Sequence, residues 1–292
     1  MALSQFFNSI SRIARNRHIN RPQALARHLA WQVRKVANRF PVELPLSGSV
    51  IIAEHRRCGV SALVNAHGMY DYNNMTLIQL LLERGGCFVD VGANVGAFSL
   101  VASEQRSARV LAFEPHPVTF AALRSNIDRN RRDNVELVCA AVGRDEGSVT
   151  ITNTPGSSTT HIATTADRET ITVPMVRLDL ELAARAIAPL IVKIDVEGFE
   201  LDVLTGLGAA LTGVTVILVE MNGLGQARGG GEQAIIDVLE NAGFIGPLYY
   251  KSRNRRFVVA PELAGEDAIF VARGRVDALA ANFGIALSAQ CE

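Results

Sequence analysis

The segment Phe88-Val89-Asp90-Val91-Gly92-Ala93-Asn94-Val95-Gly96 restricts the folds open to this chain more than any other stretch. It begins as an apolar, β-prone run, becomes rich in glycine, and passes into a helical pattern over 97–105. Glycine has no Cβ, so a strand that turns into a helix through Gly92 and Gly96 lets a ligand approach the backbone closely. In open α/β sheets, ligands bind beyond the carboxyl ends of the strands. The next apolar run, 109–113, ends in Glu114. A carboxylate there can accept hydrogen bonds from both hydroxyls of a ribose. The turn and the acid one strand later point to an adenosine-containing cofactor.

The surrounding pattern suits such a site. Strand-like runs at 87–91, 109–113, 135–141, 190–194 and 214–220 alternate with helical ones at 76–84, 97–105, 117–130, 200–211 and 232–241. Short apolar strands separated by helices argue for a doubly wound, mostly parallel α/β sheet covered on both faces. Residues 257–260 and 268–272 read as a closing antiparallel pair, and 49–53 and 61–65 as short strands ahead of the alternation. The expected layout is a basic helical extension and lead-in over 1–75, the catalytic domain over 76–273 and a tail over 274–292.

The type of cofactor follows from what the turn lacks. The dinucleotide fingerprint G-x-G-x-x-G would place glycines at 92, 94 and 97. The chain has Gly92, Asn94 and Ala97, so the glycine on which a pyrophosphate rests is missing. Asp90 would repel a pyrophosphate but could attract the ammonium group of a methionine moiety. No G-K-[ST] follows, which excludes a P-loop. S-adenosylmethionine fits these features, with Asp90, Gly92 and Glu114 around it. A nicotinamide-dependent oxidoreductase and a non-catalytic binding module are the competing classes.

The glycine-rich turn, Phe113-Glu114-Pro115 and Ile194-Asp195-Val196-Glu197-Gly198-Phe199-Glu200 together resemble the FkbM-type S-adenosylmethionine-dependent methyltransferases. The likeness runs roughly from 80 to 273 and includes 173–180 and Val219-Glu220-Met221. It implies a seven-stranded, Rossmann-like methyltransferase sheet. It also implies O-methylation of a hydroxyl on a sugar, glycan, glycolipid or polyketide-type product. Its motifs add Asn94, Gly96 and Pro115 to the cofactor set.

The acidic motif from Lys193 to Glu200 closes a strand expected beside the first, so its side chains should face the cofactor crevice. Methyl transfer is an in-line displacement at a sulfonium carbon, and the protein must align the acceptor hydroxyl and remove its proton. Asp195 can act as base, metal ligand or holder of that hydroxyl, and Glu197 can share the task. Glu200 suits the start of the next helix. His161, in a loop rich in serine and threonine, is a rival base, and His116 a weaker one. A metal-assisted route would place Mg²⁺ on Asp195 with Glu220 or Asn222. Buried acids in such numbers call for a lysine, a histidine or a divalent ion nearby. The sequence leaves these routes open.

Charge singles out the amino-terminal arm. The chain carries 29 basic and 29 acidic residues, yet residues 1–40 hold eight arginines and lysines and no acid, leaving a net −8 on the remainder. Two helical patterns lie in this arm: Phe6, Ile10 and Ile13, then Leu25, Leu29, Val33, Val36 and Phe40, with Pro22 in the first turn of the second. The second stripe is expected to pack on the catalytic domain or on a second subunit. An anionic membrane surface and a targeting peptide are alternatives, whereas no motif supports nucleic acid. No run of about 18 apolar residues could span a membrane. Cys58, Cys87, Cys139 and Cys291 form no C-x-x-C pair, which suits a reduced, cytoplasmic setting, peripheral to a membrane if the arm binds one.

Overall fold

The computed structural model describes residues 10–11, 13–14, 18–56, 58–153, 169–222, 231–260 and 267–288. The lead-in comprises α1 (Arg21–Val36), the hairpin of β1 (Val42–Leu46) and β2 (Ser49–Ala53), and α2 (Gly59–His67). The alternation then runs α3 (Tyr72–Leu82), β3 (Gly86–Val91), α4 (Ala97–Ser103), β4 (Ala108–Phe113), α5 (Pro117–Arg129) and β5 (Val135–Val138). A small sheet of β6 (Ala141–Gly143), β7 (Gly147–Thr152) and β8 (Thr170–Arg177) precedes α6 (Leu178–Ala184) and β9 (Ile191–Ile194). Next come α7 (Glu200–Leu207), β10 (Val216–Glu220) and α8 (Glu232–Asn241). The chain closes with β11 (Phe244–Lys251), β12 (Arg256–Val259), β13 (Asp267–Ala272), α9 (Val276–Phe283) and β14 (Ala286–Ser288).

The central sheet has the order β14-β12-β11-β13-β10-β9-β3-β4-β5. The strands from β10 to β5 are parallel, β13 runs antiparallel to β10, and β11 antiparallel to β13. The seven strands from β5 to β11 make the expected doubly wound sheet, and β12 and β14 extend one edge. Successive residues of β3 point to opposite faces, as the period of two demands. Phe88 joins one core with Leu100, Val101 and Leu218; Val89 joins the other with Leu111, Ile217 and Phe270.

Several expectations need correction. Residues 61–65 lie in helix α2, where Ser61 and Val64 are buried one turn apart. The run at 135–141 divides into β5 and β6, which belong to different sheets. Residues 257–260 and 268–272 do not pair with each other, because β11 lies between β12 and β13. The segment after 274 supplies α9 and the edge strand β14.

The basic helix is present, but it faces the other way. α1 packs against α2 and buries Ala24, His28 and Trp31, with Trp31 set edge-on to Phe40. Leu25, Leu29, Val33 and Val36 point outward and are 38%, 48%, 69% and 89% exposed. The pattern misleads because the contact side is built from an alanine, a histidine and a tryptophan. Of the first pattern, Ile13 is buried against Ala24 and Ala66, while Phe6 lies outside the described residues.

The hairpin joins the domain by an unusual contact. Asn126 Oδ1 accepts from Ile52 N at 2.7 Å, and Asn130 Oδ1 accepts from Val50 N at 2.8 Å. Asn130 Nδ2 donates back to Val50 O at 2.6 Å, and Asn126 Nδ2 donates to Val95 O at 2.8 Å. Four residues of helix rise about 6 Å and two residues of strand about 6.6 Å, so two asparagines one turn apart match alternate strand residues. Asn126 is fully buried. Asn126→Ala is therefore expected to cost about 3 kcal/mol in urea unfolding, from two buried groups left unpaired, and to make 42–53 sensitive to protease. A cost below about 0.5 kcal/mol would show that the contact does not hold the hairpin.

Candidate active site

The turn after β3 is held by its neighbours on both sides. Gly92 N and Ala93 N donate to Phe113 O at 3.0 and 2.9 Å, and Asp195 N donates to Val91 O at 3.0 Å. Gly92 has φ +83°, and a Cβ there would lie 1.9 Å from Asp195 O. Gly96 has φ +89°, and its Cβ would lie 2.5 Å from Leu123 Cδ1. Gly92 is thus required by close packing of backbone on backbone before any ligand enters, whereas at Gly96 the leucine methyl can shift and the left-handed backbone is what favours glycine. Asn94 takes the left-handed conformation, φ 52°, which asparagine tolerates better than most residues. Its amide donates to Glu114 Oε2 at 3.0 Å, and its Oδ1 accepts from Val95 N at 2.8 Å.

Glu114 is buried, and its second oxygen, Oε1, accepts from His116 N at 3.0 Å. One backbone donor on each oxygen fixes the carboxylate plane and leaves lone pairs directed elsewhere. Burial pushes this carboxyl up to about 7, against the pull of the two backbone hydrogen bonds. Pro115 lines the same cavity. His116 has a different job. Its Nδ1 caps α5 by accepting from Val118 N, and its Nε2 meets Asn153 Oδ1 at 3.2 Å.

Asp90 stands at the opposite side of the turn, 1% exposed. Its Oδ2 accepts from Ser99 Oγ at 2.6 Å, while Oδ1 has no hydrogen-bond partner among the described residues. Burial pushes its carboxyl up, and Lys193 pulls it down. Asp90 and Lys193 face each other in register across β3 and β9. Lys193 is buried, with Nζ 2.7 Å from Asp195 Oδ2 and 4.8 Å from the centre of the Phe98 ring. Burial alone would lower the lysine, but the charges of Asp195, Asp267 and Asp90 outweigh it and push it up.

Asp195 lies beyond β9, and the structure brings Glu197 and Glu220 to it. One carboxylate oxygen from each of the three lies within 4.8 Å of the others. Glu197 (φ 53°) and Gly198 (φ 98°) make the turn that folds Glu197 back over the cavity. Asn222 Nδ2 donates to Glu197 Oε2 at 3.1 Å and Glu220 Oε2 at 2.9 Å. Burial, then the charges of Asp195 and Glu197, push Glu220 up. Glu200 points away from the cavity chemistry and accepts from Gly198 N at 2.9 Å and Val196 N at 3.3 Å, tying the turn to α7. Asp90, Gly92, Glu114, Asp195, Glu197 and Glu220 line one cavity. His161 lies outside the described residues.

Lys193, Ser99 and Tyr70 also belong to this site. Lys193 supplies the cation that the buried acids call for. It stands in the acidic motif itself, so its signal was present. Ser99 is one of several small residues on α4, and nothing in its spacing marks it as the partner of Asp90. Tyr70 lines the cavity from the lead-in, where no periodic pattern predicts its place, and burial pushes its phenol up.

Comparison with known proteins places this geometry in context. Residues 90–245 match the model of the methyltransferase FkbM domain. The chain is 33% identical over 150 residues to the hexuronic acid methyltransferase AglP of Haloferax volcanii, covering 50% of this chain and 61% of that protein. It is 53% identical over 51 residues to the 31-O-demethyl-FK506 methyltransferase FkbM of Streptomyces tacrolimicus, covering 17% of this chain and 20% of that one. The chain thus spans less than two thirds of the length of these curated relatives. Among solved structures, precorrin-6y C5,15-methyltransferase of Geobacter metallireducens aligns with 15% identity over 68% of this chain and 86% of its own, at a TM-score of 0.40.

The raised carboxyl of Glu114 has a measurable consequence. Between about pH 4.5 and about 7 the folded protein holds a proton on Glu114 that the unfolded chain has released. Stability contributed by this group is therefore full below the unfolded value and is lost as pH rises through the folded one. Without ligand, Glu114→Gln is expected to remove up to about 3 kcal/mol of that decline, read as the difference between urea unfolding at about pH 5 and about pH 8. Identical pH profiles for the two proteins would show that Glu114 is not desolvated.

Proposed function

The chain belongs to the FkbM methyltransferase domain family, and from this we propose that it methylates a hydroxyl of a sugar, glycan, glycolipid or polyketide-type acceptor with S-adenosylmethionine. The observation that carries the reading is the buried Asp90 Oδ1, without a partner among the described residues, in the same cavity as the oriented carboxylate of Glu114. An orphaned buried acceptor suits the ammonium of the methionine moiety, and Glu114 suits the ribose hydroxyls. Asn94, through its amide on Glu114, and Gly92, Gly96 and Pro115 hold that binding surface in shape. A bound sulfonium would supply an activated methyl carbon.

The remaining task falls to the acidic cluster. As the carbon–sulfur bond breaks and the new carbon–oxygen bond forms, the acceptor hydroxyl must lose its proton. We assign the proton to Asp195, whose Oδ2 is held by Lys193 while Glu197 and Glu220 stand beside it. Burial and the neighbouring charges of Asp195 and Glu197 push Glu220 up, so the cluster retains a proton there or takes up a divalent cation. Asp195, Glu197 and Glu220 are thus the residues that would hold Mg²⁺, and His161 is the rival base. An oxygen acceptor fits the names of the two curated relatives, which refer to a hexuronic acid and to a 31-O-demethyl compound.

Mass spectrometry after incubation with S-adenosylmethionine and glycan or lipid extracts should show a product heavier by one methylene. Asp195→Asn is expected to lower its formation by roughly 10²–10⁴-fold, the range for loss of a general base. Cofactor affinity by calorimetry should change little. Turnover lost on His161→Ala and retained by Asp195→Asn would transfer the base to His161. Loss on chelation with recovery on Mg²⁺ would make Asp195 a ligand. Normal turnover in all three cases would place the chemistry elsewhere.

A further inference from the structure

We propose that α1 seats the protein on an anionic lipid surface. At about 100° per residue, Pro22, Leu25, Ala26, Leu29, Ala30, Val33 and Val36 share a sector of about 140° on this helix, and every one of them is exposed. No charged residue falls within the sector. Arg27 and Arg34 border one side of it, and Arg21 lies beyond the other. The helix is anchored to the body through its opposite side by Ala24, His28 and Trp31, so the apolar sector is presented rather than left to collapse inward. An apolar face flanked by cations is the pattern of a helix that lies in the plane of a membrane interface.

Charge selects the occupant. The arm carries eight cations and no acid, and a surface groove lined by Lys35, Val36 and Arg56 adjoins the apolar sector. A two-fold contact through the same sector would bring two such cationic arms together and oppose association. An anionic surface neutralises them, and each lysine or arginine near it raises partitioning about fivefold. Among the described residues no helix is long and apolar enough to cross a membrane. The helix therefore lies on the surface, with its leucines and valines at the headgroup boundary.

The test uses the full chain and sedimentation with vesicles of phosphatidylcholine alone or mixed with phosphatidylglycerol. Binding is expected to the mixed vesicles only and to fall with added salt. The double variant Leu29→Asp and Val33→Asp should lower partitioning more than tenfold, since it removes two apolar contacts and adds like charge. Arg34→Gln with Lys35→Gln should lower it about 25-fold. Unchanged circular dichroism shows that these exposed positions have not unfolded the protein. Equal binding to both vesicle types, or binding unaffected by the Asp variants, would overturn the proposal. So would absence of binding together with a dimer in solution that the Asp variants dissociate, which would assign the face to a second copy.

Discussion

Lys193 carries a full positive charge into the middle of the sheet, where almost nothing else could hold the acids around it. Asp90 lies beside it on β3, and Asp195 two residues further along its own strand. A carboxylate buried alone takes up a proton or drives its strand apart from its neighbour. With the ammonium between them, two adjacent strands can each end in an acid pointing to the same side. The face of the Phe98 ring on α4 lies against the ammonium, a further favourable contact for the buried charge. Substituting this lysine would leave buried charges uncompensated, the costliest kind of change to a buried ion pair. The acids that β3 and β9 bring to the cavity are therefore built around a single cation.

The same two strand ends are also pressed together by shape. Gly92 meets the carbonyl of Asp195 so closely that no side chain fits between them. The fixed spacing between β3 and β9 thereby sets the distance from Asp90 to Asp195, and with it the separation of the two halves of the site. The backbone donors from Asn94 and His116 orient Glu114 in the same rigid frame. Such preorganisation is needed when catalysis depends mainly on alignment.

Much of this was legible in the sequence because apolar runs of strand length, ended by glycine or by an acid, leave few alternatives. β3, β4, β9 and β10 fall where the pattern puts them, and Asp90, Glu114, Asp195 and Glu197 meet in one cavity. What escaped did so for physical reasons. β11 and β8 contain Pro247 and Pro174, and a proline argues against a strand; in β11 the register shift between Ile245 and Leu248 falls where Pro247 interrupts the ladder. The run at 61–65 was too short to show whether its period was two or 3.6. Asp195 and Gly92 are a hundred residues apart, so the role of the glycine was invisible until the two loops met. On α1 the most hydrophobic stripe points outward, because an alanine, a tryptophan and a histidine fill the contact with α2.

The two asparagines of α5 have an effect beyond attachment. A β-hairpin leaves a rim of amide and carbonyl groups on each of its two strands, able to recruit a further strand from the same chain or from a stranger. On β2 that rim is already occupied, at Val50 and Ile52, by side chains of a helix. A helix cannot be extended as a sheet can, so the row of bonds stops there. The inner margin of the hairpin is thereby closed to pairing with other molecules by side chains alone, whereas its other strand, β1, carries the charge of Glu43 and the proline Pro45, two devices that discourage strand addition.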